Sequence, residues 1–331
     1  MKKKYRVDWK SGMKLTDAVF TAADDFHEGQ LEPLFALMLR DGYGHFCEPL
    51  FRYETDNEVM SVIQMSCKAL TASGKFVNIN FDHNERNLFQ KVPMPGVYDP
   101  FIVYVDASSS RHVSFDSGGI PYRDVDYRLL LKPENLSYNN PDAVAIARFK
   151  YVQGWNLDLS FIPPSIYLKA NVDLLNLSVE YIRKLDQLLT VIKEKSASAM
   201  EMMARLLIVP LSMARTEVAR NVDNMTPKRL VTIMQQTVGA VWELSEVEKE
   251  CDVPEPLAVN TFVNSNFDPC KISWFVHEGI RLTEMLTKMA SKFPAKPVVE
   301  IEMHKPVEPL PVDLGFPKKS DSKRKSWEDN K

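Results

Sequence analysis

The spacing of apolar residues changes from a strand period to a helical one between Leu157 and Leu189. Leu157, Leu159 and Phe161 alternate with Asp158 and Ser160, the rhythm of a half-buried strand. Pro163 and Pro164 stop that rhythm, because neither carries an N–H for a ladder and both fix φ at about −65°. Beyond them Leu175, Ile182, Leu185, Leu189 and Ile192 follow three- and four-residue steps, with Ser178 in one polar slot. Leu174, Leu177, Tyr181 and Leu188 form a second apolar stripe beside the first. So wide an apolar face predicts a helix buried on two sides, within a bundle or against another chain. The Pro-Pro pair then reads as a rigid joint between a strand half and a helix half.

Ahead of the joint, Val59–Met65, Phe76–Phe81, Phe101–Val105, Tyr127–Leu131, Val144–Val152 and Trp155–Phe161 are candidate strands. Turn signals separate them, among them Ser73-Gly74, Pro93 to Gly96, Ser117-Gly118-Gly119 and Asn139-Asn140-Pro141. Short strands with such frequent turns predict an antiparallel sandwich, and no βαβ alternation points to a Rossmann or TIM architecture. Leu31–Leu39 is a short helical run ended by Asp41-Gly42. Residues 1–20 form an arm with a lone Trp9 and a Ser11-Gly12 turn; it packs on its own first sheet or docks into a partner with Trp9 as anchor.

Past the joint the signals are helical. A segment from Ser198 to Val222 carries Met200, Met203, Leu206 and Leu207, with Pro210 as an expected kink. Thr226-Pro227 is a cap followed by proline at the first helical position, and it starts a helix with Leu230, Ile233, Met234, Val238, Val241 and Leu244 inward. Asp268-Pro269 repeats the signal ahead of Ile272, Phe275, Leu282, Leu286 and Met289. The prediction is an α+β chain: an arm (1–20), a β-sandwich (21–165), a helical bundle (166–293) and a proline-rich, charged tail (294–331) without regular structure.

Composition narrows the function classes. At 331 residues the chain holds about two domains. A net charge of −3 gives no electrostatic case for nucleic acid, and no apolar run reaches the ~18 residues of a membrane span. The N-terminus MKKKYRVDWK has no apolar stretch behind its basic start, so it does not read as a signal peptide. Cys47, Cys67, Cys251 and Cys270 are far apart with no CxxC pair, as expected of free thiols in a reducing compartment.

Motifs for phosphate loops, dinucleotides, serine hydrolases and zinc proteases are absent. The nearest acid–base cluster, Asp82-His83-Asn84-Glu85, follows a strand as a polar surface turn would. Asp24, Asp25, His27 and Glu28 point different ways on a helix and read as a solvated face. His45, beside glycine and aromatic residues, reads as a satisfied structural histidine; His277 pairs with Glu278, Glu284 or nothing. Fifteen methionines indicate adaptable packing. Neither a cofactor nor a metal is expected, and the chain reads as built for contacts rather than turnover.

Two stretches carry a resemblance. Trp9, Gly12, Met13, Leu15 and Phe20 match a W-x-E-G-M-x-L-x-P-Q-H-F opening, with Ser11 at the acidic position and Asp17-Ala18-Val19 in place of Pro-Gln-His. Asp158, Phe161, Ile162, Pro163 and Pro164 match a D-x-x-F-I-P-P junction, and Leu31–Arg40 leads to a Tyr43-Gly44 turn. In this order the residues resemble the TssK family of type VI secretion baseplate subunits. That resemblance implies a β-sandwich shoulder, a helical neck and a homotrimer joined through that neck, at Leu175, Ile182, Leu185, Leu189 and Ile192. It implies that the shoulder, with Trp9, Gly12, Met13, Leu15 and Phe20, grips a wedge of TssF and TssG, on a cytoplasmic baseplate docked at the inner membrane. After Ala290 a proline-rich tail stands where the family has a head domain that docks the membrane complex, so a short form is expected. Two other readings compete: a phage-like tail or receptor-binding component, and an enzyme or ligand-binding protein with a site between sandwich and bundle.

Overall fold

The computed structural model describes residues 7–38, 42–56, 58–82, 92–94, 100–108, 111–115, 121–125, 127–135, 138–194, 201–247 and 255–292. Candidates at His83, Glu85, Cys251, residues 196–198 and the tail from Pro294 lie outside them.

The first sheet is built on one long strand, β3 (Val59–Leu70). Along one edge it pairs β1 (Gly44–His45) and β2 (Leu50–Thr55), and along the other β4 (Phe76–Asp82) and β5 (Val92–Pro93), all antiparallel. Ile63 is an extra residue opposite the Arg52–Tyr53 step, and it shifts the phase of the strand. Met60 and Val62 face inward before this bulge; Met65, Cys67 and Ala69 do so after it. A simple period-2 reading stops at that phase change, which is why the predicted strand ended at Met65.

The second sheet runs β11 (Trp155–Leu157), β10 (Ala143–Tyr151), β6 (Phe101–Asp106), β9 (Arg128–Pro133). A separate hairpin joins β7 (Arg111–Phe115) to β8 (Pro121–Val125). Every residue of β6 is buried, because the sheet is covered on both faces. Phe101, Val103 and Val105 join Val144, Ile146, Phe149 and Trp155 against the first sheet. Ile102 and Tyr104 pack with Ala143, Ala145 and Phe161 on the other face, where Cys270 of the helical half also packs. The predicted strand through Phe161 ends at Leu157: Asp158 accepts from Ser160 N–H and Oγ, closing a turn that leaves Leu159 84% exposed.

The helical half holds α2 (Val172–Glu194), α3 (Glu201–Asn221), α4 (Pro227–Val247), α5 (Pro256–Asn264) and α6 (Ile272–Ala290). Helix α2 packs on α3 and α6, and α4 on α3, α5 and α6. Asn171 caps α2 by accepting from Leu174 N–H at 2.9 Å, and Thr226 caps α4 by accepting from Arg229 N–H at 3.2 Å. Asp268 accepts from Cys270 N–H at 3.0 Å and starts a 3-10 turn leading into α6. Leu230, Ile233, Met234, Val238, Val241, Ile272, Phe275, Leu282, Leu286 and Met289 are all buried, as their spacing predicts. Pro210 lies inside an unbroken α3, and α5 was not foreseen.

The halves meet at a backbone splice. His45 N–H donates to Pro164 O at 2.8 Å, Ile166 N–H to His45 O at 3.0 Å, and Leu168 N–H to Met225 O at 3.0 Å. Phe161, Ile162, Pro163 and Pro164 are all buried here. Gly44 has φ of +131°, and a Cβ on it would fall on the Pro164 carbonyl.

Gly44→Ala is therefore expected to cost about 3 kcal/mol or more, lowering the thermal midpoint by about 10 °C, as calorimetry can measure. Burial, partly offset by the hydrogen bond to Ala145, pushes His45 down to about 4. The unfolded chain thus takes up its proton first, near pH 6.5. Stability from the neutral imidazole is complete above about pH 6.5 and is lost as pH falls through the folded value. Urea unfolding at pH 5 should show about 2 kcal/mol less stability than at pH 7.5 from this group, a difference that shrinks in His45→Gln.

Candidate functional site

The arm predicted from Trp9 to Phe20 is the first few residues of a larger exposed element. Met13 N–H donates to Lys10 O at 3.1 Å, closing a turn in which Gly12 takes φ of +77°. The turn sends the chain back so that Trp9 sits 6.2 Å from the Phe20 ring, tilted by 51°. Trp9, Leu15 and Phe20 nevertheless remain 53%, 60% and 50% exposed. Met13 is half-buried.

Phe20 belongs to α1 (Asp17–Met38), a helix far longer than the Leu31–Leu39 run read from the sequence. Gly29 and Pro33 inside it obscured the pattern, since both are poor helix residues. Among its described side chains none is buried, and among the described residues it packs along no other element of the chain. Its sequence carries Asp17, Asp24, Asp25, Glu28 and Glu32 with neither Lys nor Arg. At 100° per residue, Val19, Ala23, Phe26 and Leu34 occupy the half of the wheel opposite that acidic arc, with Phe20 at its edge. An amphipathic helix with its apolar half uncovered is built to be covered by something else.

Helix α2 divides the stripes predicted for it. Leu174, Ser178, Tyr181, Leu185, Leu188, Leu189 and Ile192 are buried in the bundle of the same chain. Leu185, Leu189 and Ile192 thus spend their surface within one chain, while Leu175 and Ile182 are half-buried. Val172 and Val179, both exposed, fall on one line with Leu175 and Ile182 at three- and four-residue steps. Val172, Leu175 and Val179 lead this line outward while Ile182 also packs in part on the bundle core, and sequence reasoning missed the two valines. A further apolar strip, Leu206, Val209, Pro210 and Met213, lies exposed on α3.

Side-chain bonds hold the joint between these surfaces rigid. Arg148 donates to Asp158 and Glu134, each at 2.7 Å, and sits 5.5 Å above the Phe161 ring. Burial alone would raise the Asp158 carboxyl, but bonds from Lys150, Ser160 and Arg148 hold it well below the usual carboxylate range. His45 is the satisfied structural histidine expected: Nε2 donates to Ala145 O at 2.8 Å. His277 Nδ1 donates to the Ser273 carbonyl at 2.7 Å rather than to either glutamate.

A cleft of about 380 Å³ opens between the second sheet and the start of α6, lined by Tyr43, Tyr104, Tyr138, Glu134, Asp268 and Cys270 among others. Its acids are engaged: Glu134 pairs with Arg148 and Asp268 caps the turn before α6. Burial pushes the Cys270 thiol up to about 12, away from nucleophilic form at neutral pH. Among the described residues, no three His, Cys, Asp or Glu side chains are grouped to hold a metal ion.

No family model matches the sequence, and no curated protein matches it either. Solved structures do match in fold. A chain of the type VI secretion TssK-TssF-TssG baseplate subcomplex aligns with a TM-score of 0.56 at 14% identity, covering 86% of this chain and 99% of that one. A crystal structure of TssK aligns at 0.58 and 13% identity, over 87% of this chain and 72% of that one. TssK from the EAEC type VI secretion system, bound to a nanobody, aligns at 0.54 and 13% identity, over 81% and 68%. The chain has the α+β fold of TssK.

Proposed function

We propose that the chain is a non-enzymatic, homotrimeric adaptor of a type VI secretion baseplate that binds TssF- and TssG-like wedge subunits. The observation that carries this reading is a fold likeness running over 86% of this chain and 99% of a chain taken from a TssK-TssF-TssG baseplate subcomplex. The short sequence resemblances at Trp9–Phe20 and Asp158–Pro164 favour it independently.

The wedge contact is assigned to the arm and α1. Trp9, Leu15 and Phe20 offer aromatic and aliphatic anchors outside the chain's own core. The acidic arc of α1 calls for a partner groove that is apolar at its floor and basic at its rim. The trimer contact is assigned to the outward line Val172, Leu175, Val179 and Ile182, because the other α2 stripe is already covered. Three copies would hide these positions together and present three arms to one partner, so that weak single contacts gain avidity. Among the described residues no helix is long and apolar enough to cross a membrane, in keeping with an adaptor that reaches the inner membrane through other subunits.

Size exclusion with light scattering should give about three times 37.9 kDa. Val172→Glu with Val179→Glu should yield a monomer with an unchanged thermal midpoint; a persistent trimer would overturn the assigned face. Trp9→Ala with Leu15→Ala should weaken capture of the wedge subunits by about tenfold while the trimer persists. An intact protein that fails to bind a folded wedge would overturn the adaptor reading itself.

A further inference from the structure

Cys67 is a buried nucleophile beside a base. Its Sγ lies 3.6 Å from His45 Nδ1, and His45 Nε2 lies 2.8 Å from Ala145 O. A carbonyl only accepts, so Nε2 carries the ring proton and the Nδ1 lone pair faces the thiol. Cys67 and His45 are closed to solvent, so no outside substrate reaches the pair. A neighbouring residue does.

Strands β1 and β3 run antiparallel with Gly44 opposite Leu70 and His45 opposite Ala69. Phe46 N–H then donates to Lys68 O at 2.9 Å. The next step of this register sets Cys47 opposite Cys67. Pairing resumes at Leu50 opposite Ser66, so Cys47, Glu48 and Pro49 bulge over Cys67 alone. In a regular antiparallel pair, opposite residues have Cα atoms about 4.5–5.5 Å apart, within the roughly 4.4–6.8 Å that a disulfide requires; the paired register ends at His45, so closing the bond draws Cys47 in from its exposed bend. Both are free thiols, Cys47 exposed and Cys67 buried.

We propose that Cys47 and Cys67 form a reversible intrachain disulfide under peroxide, with Cys47 as the thiol that meets the oxidant and Cys67 as the resolving thiol. In the first step the Cys47 sulfur attacks hydrogen peroxide, the O–O bond breaks, and Cys47 sulfenic acid and one water result. In the second the Cys67 sulfur displaces the hydroxyl from the Cys47 sulfur. The Cys67 proton goes to the departing hydroxide, which leaves as a second water. Two thiols are oxidised, one peroxide is reduced to two waters, and one S–S bond forms. Burial, with the nearby Cys47 thiol, pushes Cys67 up to about 12, so it stays inert until a sulfenic acid forms beside it.

The bond would lie two residues from His45, which holds Pro164 and Ile166 in the splice, so the oxidised chain is cross-linked within the first sheet beside the joint. The test uses the full chain carrying Cys251→Ser and Cys270→Ser. After hydrogen peroxide, denaturation and alkylation, intact mass should show the loss of two hydrogens and no alkylation, reversed by dithiothreitol, with Cys47 and Cys67 in one linked peptide. Cys67→Ser should instead leave a Cys47 sulfenic acid trapped by dimedone. A parent protein in which Cys67 stays fully alkylatable while Cys47 is trapped or over-oxidised would overturn the proposal. So would a disulfide that links two molecules.

Discussion

Two residues of backbone carry the connection between the sandwich and the bundle. Gly44–His45 is at once an edge piece of the first sheet and a strand partner of Ser165, immediately after the two prolines. Prolines cannot donate, so the segment from Pro163 needs its carbonyl satisfied by a chain that approaches very closely. Only glycine at position 44 permits that approach, and the His45 N–H then completes the bond to Pro164. The imidazole carries the connection further, reaching Ala145 in the second sheet. Both sheets and the joint thus converge on one dipeptide.

The second sheet turns that convergence into a layered body. Because β6 and β10 are covered on both faces, the bundle contacts them through Tyr104, Phe161 and Cys270 and does not hang from a linker. Arg148 stands at the margin of this layer, where its guanidinium joins Glu134, Asp158 and the Phe161 ring. A planar fork with several donors satisfies two acids and an aromatic face at once, which a lysine could not do. The orientation of the joint is held by packing and by directed bonds together.

Much of this was legible in the sequence wherever one local signal had one meaning. Thr226-Pro227 and Asp268-Pro269 start their helices as cap chemistry requires, and the apolar spacing behind them names the buried residues. The apolar runs Phe101–Val105 in β6 and Ala143–Ala147 in β10 likewise match strand segments buried on both faces. Failures came where a second influence acted on the same residues. The bulge at Ile63 reversed the alternation in β3, Asp158 pulled Leu159 out of its strand into a turn, and Gly29 and Pro33 masked α1. For the candidate surfaces the difficulty was of another kind. Apolar periodicity marks a face to be covered but not which neighbour covers it, so Leu185 and Ile182 looked alike although only Leu185 is enclosed by its own chain.

The proline inside α3 gives its exposed strip a property that apolar residues alone would not have. Pro210 has no N–H, so the carbonyl of Leu206 one turn earlier has lost its donor within the helix. That oxygen lies in the turn between Leu206 and Pro210, both exposed residues of the strip. A partner that sealed this strip with hydrocarbon alone would strand an acceptor away from water, at a cost comparable to the burial it gained. The strip thus favours a visitor that brings a hydroxyl, an amide or a trapped water to the level of Leu206.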